Sequence, residues 1–402
     1  MHINYGNKGI YRHADLDTTH AKRSTTNIVN DTMVKVAVDG SKHGLNYGGK
    51  IELNADTSQN KYDGANPSSN AFETMVYVSN HYGRIEGGAT TGTSDKMNVR
   101  GASLARATGG TDGDYVYAMN QNFNAGDVQQ FNTGFWNVNN RFWTTPTLPS
   151  NYHTGGTNMA NKASYFTPTY MGFKAGVSYI PDMEAKGTLS QANGLSQKIG
   201  AAANGVRFGF NNGLYRNVLT GGIHYKGSFS GVKIKASVLG ESGTAKNEST
   251  TILFQNLRAV QAGLSFGYKG FKIAGSYADL GKSGINKAIA TGKRKTTFWD
   301  AAVAYKYHAL GLSVSYFESK RGGFINTVQN DANAATTDAN AKANKYTAWS
   351  FGVDYKLAPG FLPYAEYTAF KTNDANKGNA TASDNAVNNK GHVFLAGTKL
   401  EF

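Results

Sequence analysis

The sequence has no cysteine, only 7 prolines, and charged residues at only 17% of its 402 positions. Without cysteine there is no disulfide framework, no thiolate zinc site and no cysteine nucleophile. No run approaches the roughly 20 consecutive apolar residues that a membrane-spanning helix needs. A chain that crosses a membrane with strands escapes that test, because only alternate residues of a strand face lipid. Helical spans are therefore excluded, whereas soluble β proteins and membrane barrels both stay open.

Glycine (48) and tyrosine (23) are abundant. This composition suits many strands joined by turns. The formal net charge is +14, but lysine and arginine are spread along the whole chain. A nucleic-acid-binding protein would gather them with aromatic residues on one face. We therefore expect no nucleic-acid partner.

The main pattern is a two-residue apolar period that predicts strands. In 298–308, Trp299, Val303 and Tyr307 point one way, while Asp300 and Lys306 point the other. Short turns alternate with long loops between such segments, an asymmetry typical of outer-membrane barrels. The pattern predicts about sixteen strands, close to 2–12, 32–41, 44–57, 71–80, 83–92, 158–168, 171–181, 216–227, 231–242, 257–268, 271–279, 295–308, 311–320, 345–357, 360–371 and 391–402.

The apolar faces of these strands carry aromatic residues toward their ends, as with Trp349 and Tyr355 on one strand. Aromatic ends are typical of the girdles at the two membrane interfaces. A soluble sandwich, the alternative, would bury its apolar faces in a compact core. We therefore expect an all-β fold: a closed antiparallel transmembrane β-barrel, formed as a single domain by residues 1–402.

The last predicted strand alternates up to Phe402, which shares a face with Phe394 and Leu400. A terminal phenylalanine after such a strand resembles the C-terminal assembly signal of outer-membrane barrels. The N-terminal residues lack a basic region followed by an apolar core, so no secretory signal is expected. We expect the mature form of an exported chain.

Several segments, in order, resemble strands and hairpins of general bacterial porins, especially the alphaproteobacterial type. They are 44–56 (GLNYGGKIELNAD), 72–79 (FETMVYVS) with 82–88 (YGRIEGG), and 161–168 (NKASYFTP) with 172–179 (GFKAGVSY). The resemblance implies a homotrimer of sixteen-stranded barrels in the bacterial outer membrane, in contact with lipid and lipopolysaccharide. It also implies a passive channel for small hydrophilic solutes and ions.

The resemblance further implies that the third long loop, here 93–157, folds into the lumen as a constriction. Its charged candidates are Asp112, Asp114, Asp127, Arg100, Arg106 and Arg141. By strand parity the candidates on the pore wall are Lys35, Lys50, Arg84, Lys162, Lys235, Glu52, Glu73 and Glu86. The chain departs from the family at Lys162 and Ser164, where an arginine is common. The part of the loop beyond residue 130 has a second interpretation, packing over the barrel mouth or a neighbouring subunit.

Basic residues outnumber acidic ones on the predicted inward faces, which favours a mild anion preference. The basic set is Lys35, Lys50, Arg84, Lys162, Lys174, Lys226, Lys233, Lys235, Lys272, Lys306, Lys356 and Lys399. The acidic set is Glu52, Glu73, Glu86, Asp300, Asp354, Glu366 and Glu401. Several of these lysines lie beside short turns, so they could instead only decorate the rim.

No nucleophile elbow, phosphate loop or metal-ligand spacing occurs, so we expect neither an enzyme nor a cofactor or metal. Two alternatives to an open diffusion channel stay open. One is a structural or adhesive outer-membrane barrel whose pore the loop 93–157 plugs. The other is a substrate-selective channel.

Overall fold

Antiparallel strands make up one sheet in the computed structural model, which describes residues 2–3, 28, 32–54, 71–118, 142–151, 157–183, 185, 215–246, 253–285, 287, 295–322, 343–373 and 389–401. The strands are β1 (His2–Ile3), β2 (Met33–Lys42), β3 (Leu45–Asn54), β4 (Ala71–Asn80), β5 (Gly83–Ala89), β6 (Asn161–Phe166), β7 (Phe173–Asp182), β8 (Tyr215–Phe229), β9 (Val232–Ala245), β10 (Leu257–Tyr268), β11 (Phe271–Gly281), β12 (Thr296–Tyr307), β13 (Leu310–Arg321), β14 (Asn344–Tyr355), β15 (Phe361–Asn373) and β16 (Asn389–Glu401). All but the two-residue β1 have six or more residues.

The strands follow one another in the sheet in chain order, from β2 through β16, and β1 then pairs with β16. Each strand from β2 onward is antiparallel to its chain neighbours. The hydrogen-bonded order of the described residues thus starts at β1 and ends at β2. Cα atoms of β1 also lie within 8 Å of Cα atoms of β2.

Short turns join neighbouring strands at one end of the sheet. His43 and Gly44 both have positive φ, and so do Lys269 and Gly270. Two residues with positive φ define the two-residue turn whose twist matches that of the flanking strands. Glycine takes this conformation at little cost, so these dipeptides join long strands without an intervening loop.

One face of the sheet is apolar and exposed. Side chains in the middle of its strands are between 38% (Val314) and 66% (Val76) exposed. They include Val76, Ile85, Val177, Leu219, Val260, Leu264, Val303, Val314 and Phe351. We call this surface the apolar face. Its polarity is the reverse of a water-soluble sheet, which buries such residues.

The opposite face, here called the loop-side face, is covered by the connection between β5 and β6. This connection contains the short helix α1 (Thr93–Lys96) and 3₁₀ turns at Gly101–Leu104, Gly110–Asp112, Asp114–Ala118, Pro149–Asn151 and Thr157–Met159. Its Tyr115, Phe142, Trp143 and Leu148 share one buried cluster with strand residues such as Phe317. The core of the molecule therefore lies between this connection and the strands.

The predicted all-β antiparallel architecture is confirmed, and the predicted ranges overlap every strand. The differences are small. β8 extends to Phe229, and the turn between the predicted strands 295–308 and 311–320 lies at His308–Ala309, because Leu310 already pairs with Tyr307. Of the first predicted strand, residues 4–12 lie outside the described residues. No helix among the described residues is long and apolar enough to cross a membrane.

Candidate functional site

Two buried carboxylates on the loop-side face hold the connection 93–157 by its backbone. Glu366 of β15 accepts hydrogen bonds from Thr108 N (3.1 Å), Thr108 Oγ1 (2.8 Å) and Gly110 N (3.0 Å). Asp300 of β12 accepts one from Ala102 N at 2.7 Å. A carboxylate is a strong acceptor for N–H groups when water is excluded. These two acids therefore fix the connection instead of facing open solvent.

A third carboxylate, Glu241 of β9, joins the two ends of the connection. The hydroxyls of Ser94 and Ser150 both donate to it, and Ser150 N donates at 3.1 Å. Ser94 Oγ also lies 2.9 Å from Thr220 Oγ1 of β8. Glu241 is 5% exposed. It therefore locks the beginning and the end of the connection against the same part of the sheet.

Hydrogen bonds to other strands continue this attachment across the sheet. Backbone N–H groups donate to strand hydroxyls from Thr93 to Ser178 (2.9 Å), from Val99 to Ser237 (3.0 Å), from Arg106 to Ser313 (2.8 Å) and from Thr111 to Ser315 (3.2 Å). Lys399 Nζ donates to Ala107 O at 2.5 Å. The connection is thus held by strands from β7 to β16.

Tyr115 anchors the connection in the buried cluster. Its hydroxyl lies 2.6 Å from that of Tyr346 on β14. Burial, reinforced by the neighbouring Tyr346, raises the pKa of Tyr115 well above its usual value. The side chain therefore stays neutral through the physiological range.

Two arginines of the connection form ion pairs with nearby carboxylates. Arg100 Nη1 lies 2.7 Å from Asp112 Oδ2, and Thr145 Oγ1 donates to Asp112 Oδ1 at 2.5 Å. Arg106 Nη1 lies 3.6 Å from Asp354 of β14. Asp112, a predicted constriction residue, thus has its basic partner, Arg100, within the connection itself.

The loop-side face of β2 to β4 carries its own charge network. Lys50 Nζ donates to Glu73 and lies 3.6 Å from Glu52 Oε2. Thr90 Oγ1 donates to Glu73 at 2.5 Å. Lys35 lies directly opposite Glu52 in the strand register, and its side chain is exposed. These candidates therefore lie on one surface, as their parity predicts.

A second network joins β5 to helix α1. Arg84 Nε donates to Glu86 Oε1 at 2.6 Å, and its guanidinium lies 3.5 Å from the centre of the Tyr77 ring. Lys96 of α1 donates to the other oxygen of Glu86. Lys96 therefore links the connection to the wall of β4 and β5.

Two of the predicted wall lysines have different surroundings. Lys162 is 4% exposed and donates to the backbone carbonyls of Thr90 and Asn158, so it supports the ends of the connection rather than lining open space. Lys235 is exposed on the loop-side face of β9. Asp114 is half-buried, and its N–H donates to Thr108 Oγ1 at 3.3 Å. The predicted Asp127, Arg141 and Phe402 lie outside the described residues.

Acidic and basic residues of the loop-side face differ in their exposure. The acids Glu73, Glu86, Glu241, Asp300, Asp354 and Glu366 are buried, Glu52 is half-buried, and Asp39 and Glu401 are exposed. The lysines Lys35, Lys226, Lys233, Lys235, Lys272, Lys306 and Lys356 are all exposed. Water on this side of the sheet therefore meets more positive than negative charge.

Two residues of this arrangement were missed by sequence reasoning. Glu241 has the same parity as Lys235 and Ser237, and that alternation was enough to assign it to the loop-side face. Lys96 had no such signal, since it lies in an irregular connection. Among the described residues, no group of His, Asp or Glu side chains is arranged to hold a metal ion.

Comparison with known proteins identifies the family. The sequence profile of the Gram-negative porin family matches residues 4–375. The chain belongs to the Gram-negative porin family. The family and the fold are those of outer-membrane β-barrel channel proteins rather than enzymes.

Solved porins share the fold at low sequence identity. The anion-selective porin from Comamonas acidovorans covers 100% of this chain with 99% of its own, at 15% identity and a TM-score of 0.57. A mutant of the Rh. blastica porin gives the same coverage, at 11% identity and a TM-score of 0.52.

Relatives of this porin in sequence are uncharacterised proteins. One from Rickettsia prowazekii is 27% identical over 373 residues, which are 81% of this chain and 75% of the relative. Another from Rickettsia conorii is 28% identical over 380 residues, which are 84% of this chain and 78% of the relative.

Proposed function

We propose that this porin is a passive diffusion channel for small hydrophilic solutes and ions in a bacterial outer membrane, with a mild anion preference. Residues 1–402 form one closed barrel whose loop-side face lines a lumen, and the connection 93–157 folds into that lumen. Three copies form a homotrimer that contacts outer-membrane lipid and lipopolysaccharide. Family membership together with the reversed polarity of the two sheet faces carries this proposal.

Closure is supported by the two ends of the sheet. β1 pairs with β16, and its Cα atoms lie within 8 Å of those of β2, the strand at the other end. An open sheet with an exposed edge would offer unpaired backbone groups that lipid cannot satisfy. Bringing β1 and β2 together removes both edges at once.

A membrane location is supported by the apolar face. Its aliphatic residues are followed by a row of aromatic side chains, in which Tyr316 lies 4.8 Å from Trp299 and 4.4 Å from Trp349 between ring centres. Such a row across neighbouring strands is typical of the aromatic girdle at a membrane interface.

The path for solutes is supported by the uneven attachment of the connection. The described residues of 93–157 bond to β7 through β16. Toward β2 to β5, Lys96 donates to Glu86 and Thr90, just before residue 93, donates to Glu73. Lys35, Lys50 and Arg84 keep exposed or half-buried side chains there. We place the constriction between this charged wall and the connection.

The anion preference is supported by the difference in exposure between acids and bases. Most carboxylates of the loop-side face are buried, so the exposed lysines are the charges that a passing ion would meet most closely. The anion-selective porin from Comamonas acidovorans has the same fold.

A plugged structural or adhesive barrel is the second candidate function. The buried aromatic cluster of Tyr115, Phe142 and Trp143 fills space on the loop-side face, which a plug would also do. In this alternative the connection blocks passage, and the exposed lysines serve only solubility.

Single-channel conductance in a planar bilayer under a salt gradient separates these functions. We expect ohmic steps, often in groups of three, and a reversal potential whose sign indicates anion preference. Competition by added solutes would reveal a substrate-selective channel. Silence from correctly folded protein would overturn the diffusion channel and leave the plugged barrel.

A further inference from the structure

Six lysines gather on the loop-side face beside the short turns of β7 to β12. We call them the lysine shelf: Lys174, Lys226, Lys233, Lys235, Lys272 and Lys306. Lys226 and Lys235 are direct partners across β8 and β9. Lys233 and Lys272 both pair with Gly267 of β10, one from each side. The shelf therefore spans several neighbouring strands at one level of the sheet.

The shelf is open to solvent. All its members except the half-buried Lys174 are exposed. Gly267 separates Lys233 from Lys272, and His224 lies between Lys174 and Ser237 on the same face. Adjacent strands lie about 4.8 Å apart. The Cα atoms of Lys233 and Lys272, which are two strands apart, are therefore roughly 10 Å from each other across the sheet.

Charge on the shelf is of one sign. Among the ion pairs of the described residues, none joins a shelf lysine to a carboxylate. The acids nearest in the strand register are already engaged, Asp354 with Arg106 and Asp300 with Ala102 N. Arg106 of the connection lies against Gly311, which pairs with Lys306 in the strand register. The positive surface thus continues from the short-turn edge to the connection.

Such an arrangement conflicts with ordinary sheet stability. Like charges directly opposite each other, as at Lys226 and Lys235, destabilise a strand pair. Local conflicts of this kind are expected at functional sites, where a ligand supplies the missing charge. Lysines that only kept the rim of the barrel soluble would need neither the direct pairing of Lys226 with Lys235 nor a glycine between Lys233 and Lys272.

We propose that the lysine shelf is a binding site for multivalent oxyanions, of the phosphate and polyphosphate class, that enter or leave the lumen at its short-turn mouth. The proposal rests on the proposed channel, because the shelf faces a lumen only in a closed barrel. Several ammonium groups within reach of one ligand favour a multivalent anion over chloride, since each phosphate group adds another ion pair.

The test compares two triple variants with the same loss of charge. The shelf variant is Lys233→Gln, Lys235→Gln and Lys272→Gln. The control variant is Lys42→Gln, Lys287→Gln and Lys371→Gln, which removes three exposed lysines outside the shelf. Inorganic tripolyphosphate is added to bilayers of zwitterionic lipid in about 0.1 M KCl, where screening is still moderate. Its block of the chloride current is measured from each side, and its binding to folded protein in detergent is measured by calorimetry.

We expect tripolyphosphate to bind and block the parent protein more strongly from one side, and the shelf variant to lose about tenfold or more in both measures. The control variant should stay close to the parent. Equal affinity in the two variants, or no tripolyphosphate binding to the parent, would overturn the shelf. Chloride steps without shelf-dependent block would leave the channel intact and refute only the site. Shelf-dependent binding in a protein that never conducts would refute the channel instead.

Discussion

At the scale of single residues, buried carboxylates of the strands hold the connection 93–157 in place. Glu366 accepts three hydrogen bonds from Thr108 and Gly110 in a site that is 1% exposed. A buried donor that loses its acceptor costs more than an exposed one, because water cannot replace the bond. Several acids that the sequence suggests as pore charges therefore have a structural role, and in the proposed channel the ions would meet mainly lysine.

The first prediction concerns this attachment. Glu366→Ala leaves two backbone N–H groups and one hydroxyl without an acceptor, at a cost of about 1–3 kcal/mol for each buried group. We expect a lower urea midpoint in detergent and faster proteolysis within 93–157. Glu366→Gln keeps one acceptor oxygen, so its urea midpoint should lie between those of the parent protein and Glu366→Ala.

Glu318→Ala is the matched control. Glu318 is a partly exposed strand carboxylate 2.9 Å from Lys345, and an ion pair of this kind contributes about 0–1 kcal/mol. If the two alanine variants were equally stable and equally resistant to protease, the attachment by Glu366 would be refuted.

The second prediction concerns Tyr115. Tyr115→Phe removes the hydrogen bond to Tyr346 and should lower the free energy of unfolding by about 1 kcal/mol near pH 7. The pKa of Tyr115 is raised by burial, so the folded protein holds its proton at a pH where the unfolded chain, with a pKa of about 10, releases it. Stability from this residue is therefore present below about pH 10 and is lost as pH rises further.

The phenylalanine variant has no such proton. The difference in stability between parent and Tyr115→Phe should therefore shrink above about pH 10. Urea unfolding at pH 8 and at pH 10.5 measures it. A gap that grows with pH would contradict the buried, neutral tyrosine.

Each strand, as an element, separates two environments. In β12, Trp299 and Val303 lie on the apolar face while Asp300 and Ala302 are buried on the other side. Because the side-chain period of a strand is two, a shift of one residue would turn aromatic and aliphatic groups inward. The pairing of Val303 with Val314 and Ile273 keeps the apolar set together.

The third prediction uses this division. Val303→Arg puts a charge on the apolar face, and in a bilayer it should cost about 2–4 kcal/mol near the midplane. Ala37→Arg puts the same charge on the exposed loop-side face of β2, where little change is expected. Folding into lipid vesicles at increasing urea compares the two. Equal loss of folding in both variants would argue against a lipid-facing surface at Val303.

At the scale of the whole molecule, the apolar face has two sectors. Outward aromatic residues concentrate on β11 to β14, including Phe271, Tyr277, Trp299, Tyr307, Trp349, Phe351 and Tyr355. The middle of β2 to β5 is instead aliphatic, with Val36, Val38, Ile51 and Val76 around Gly49 and Gly87. Aromatic girdles face lipid, whereas small residues allow close approach of another protein. The aliphatic sector is therefore where we expect the proposed trimer contact.

The fourth prediction tests that sector. Gly49→Trp fills the aliphatic groove and should convert trimers to monomers in native mass spectrometry, with strand content by circular dichroism unchanged. Gly240→Trp fills a comparable groove beside Val177, Leu219 and Val260 and should leave trimers intact. Trimers in both variants would place the contact elsewhere, and monomers of the parent protein would refute the trimer itself.

The sequence by itself determined the strands, their order and the two faces of the sheet. These features follow from local rules: a period of two, and turns such as His43-Gly44 that join strands directly. The alternation of side chains along each strand likewise assigned Lys50, Glu73, Glu86 and Lys235 to one surface.

Only the tertiary structure decided which of those charges are available. Lys162 and Glu366 have the same alternation as Lys235, yet both are buried because the connection 93–157 covers their strands. The course of that connection depends on contacts between residues far apart in the chain, such as Gly110 with Glu366 and Ala102 with Asp300. No periodicity encodes such pairings, since irregular backbone has no repeating geometry, and they form only when the strands that hold the partners have already been brought together.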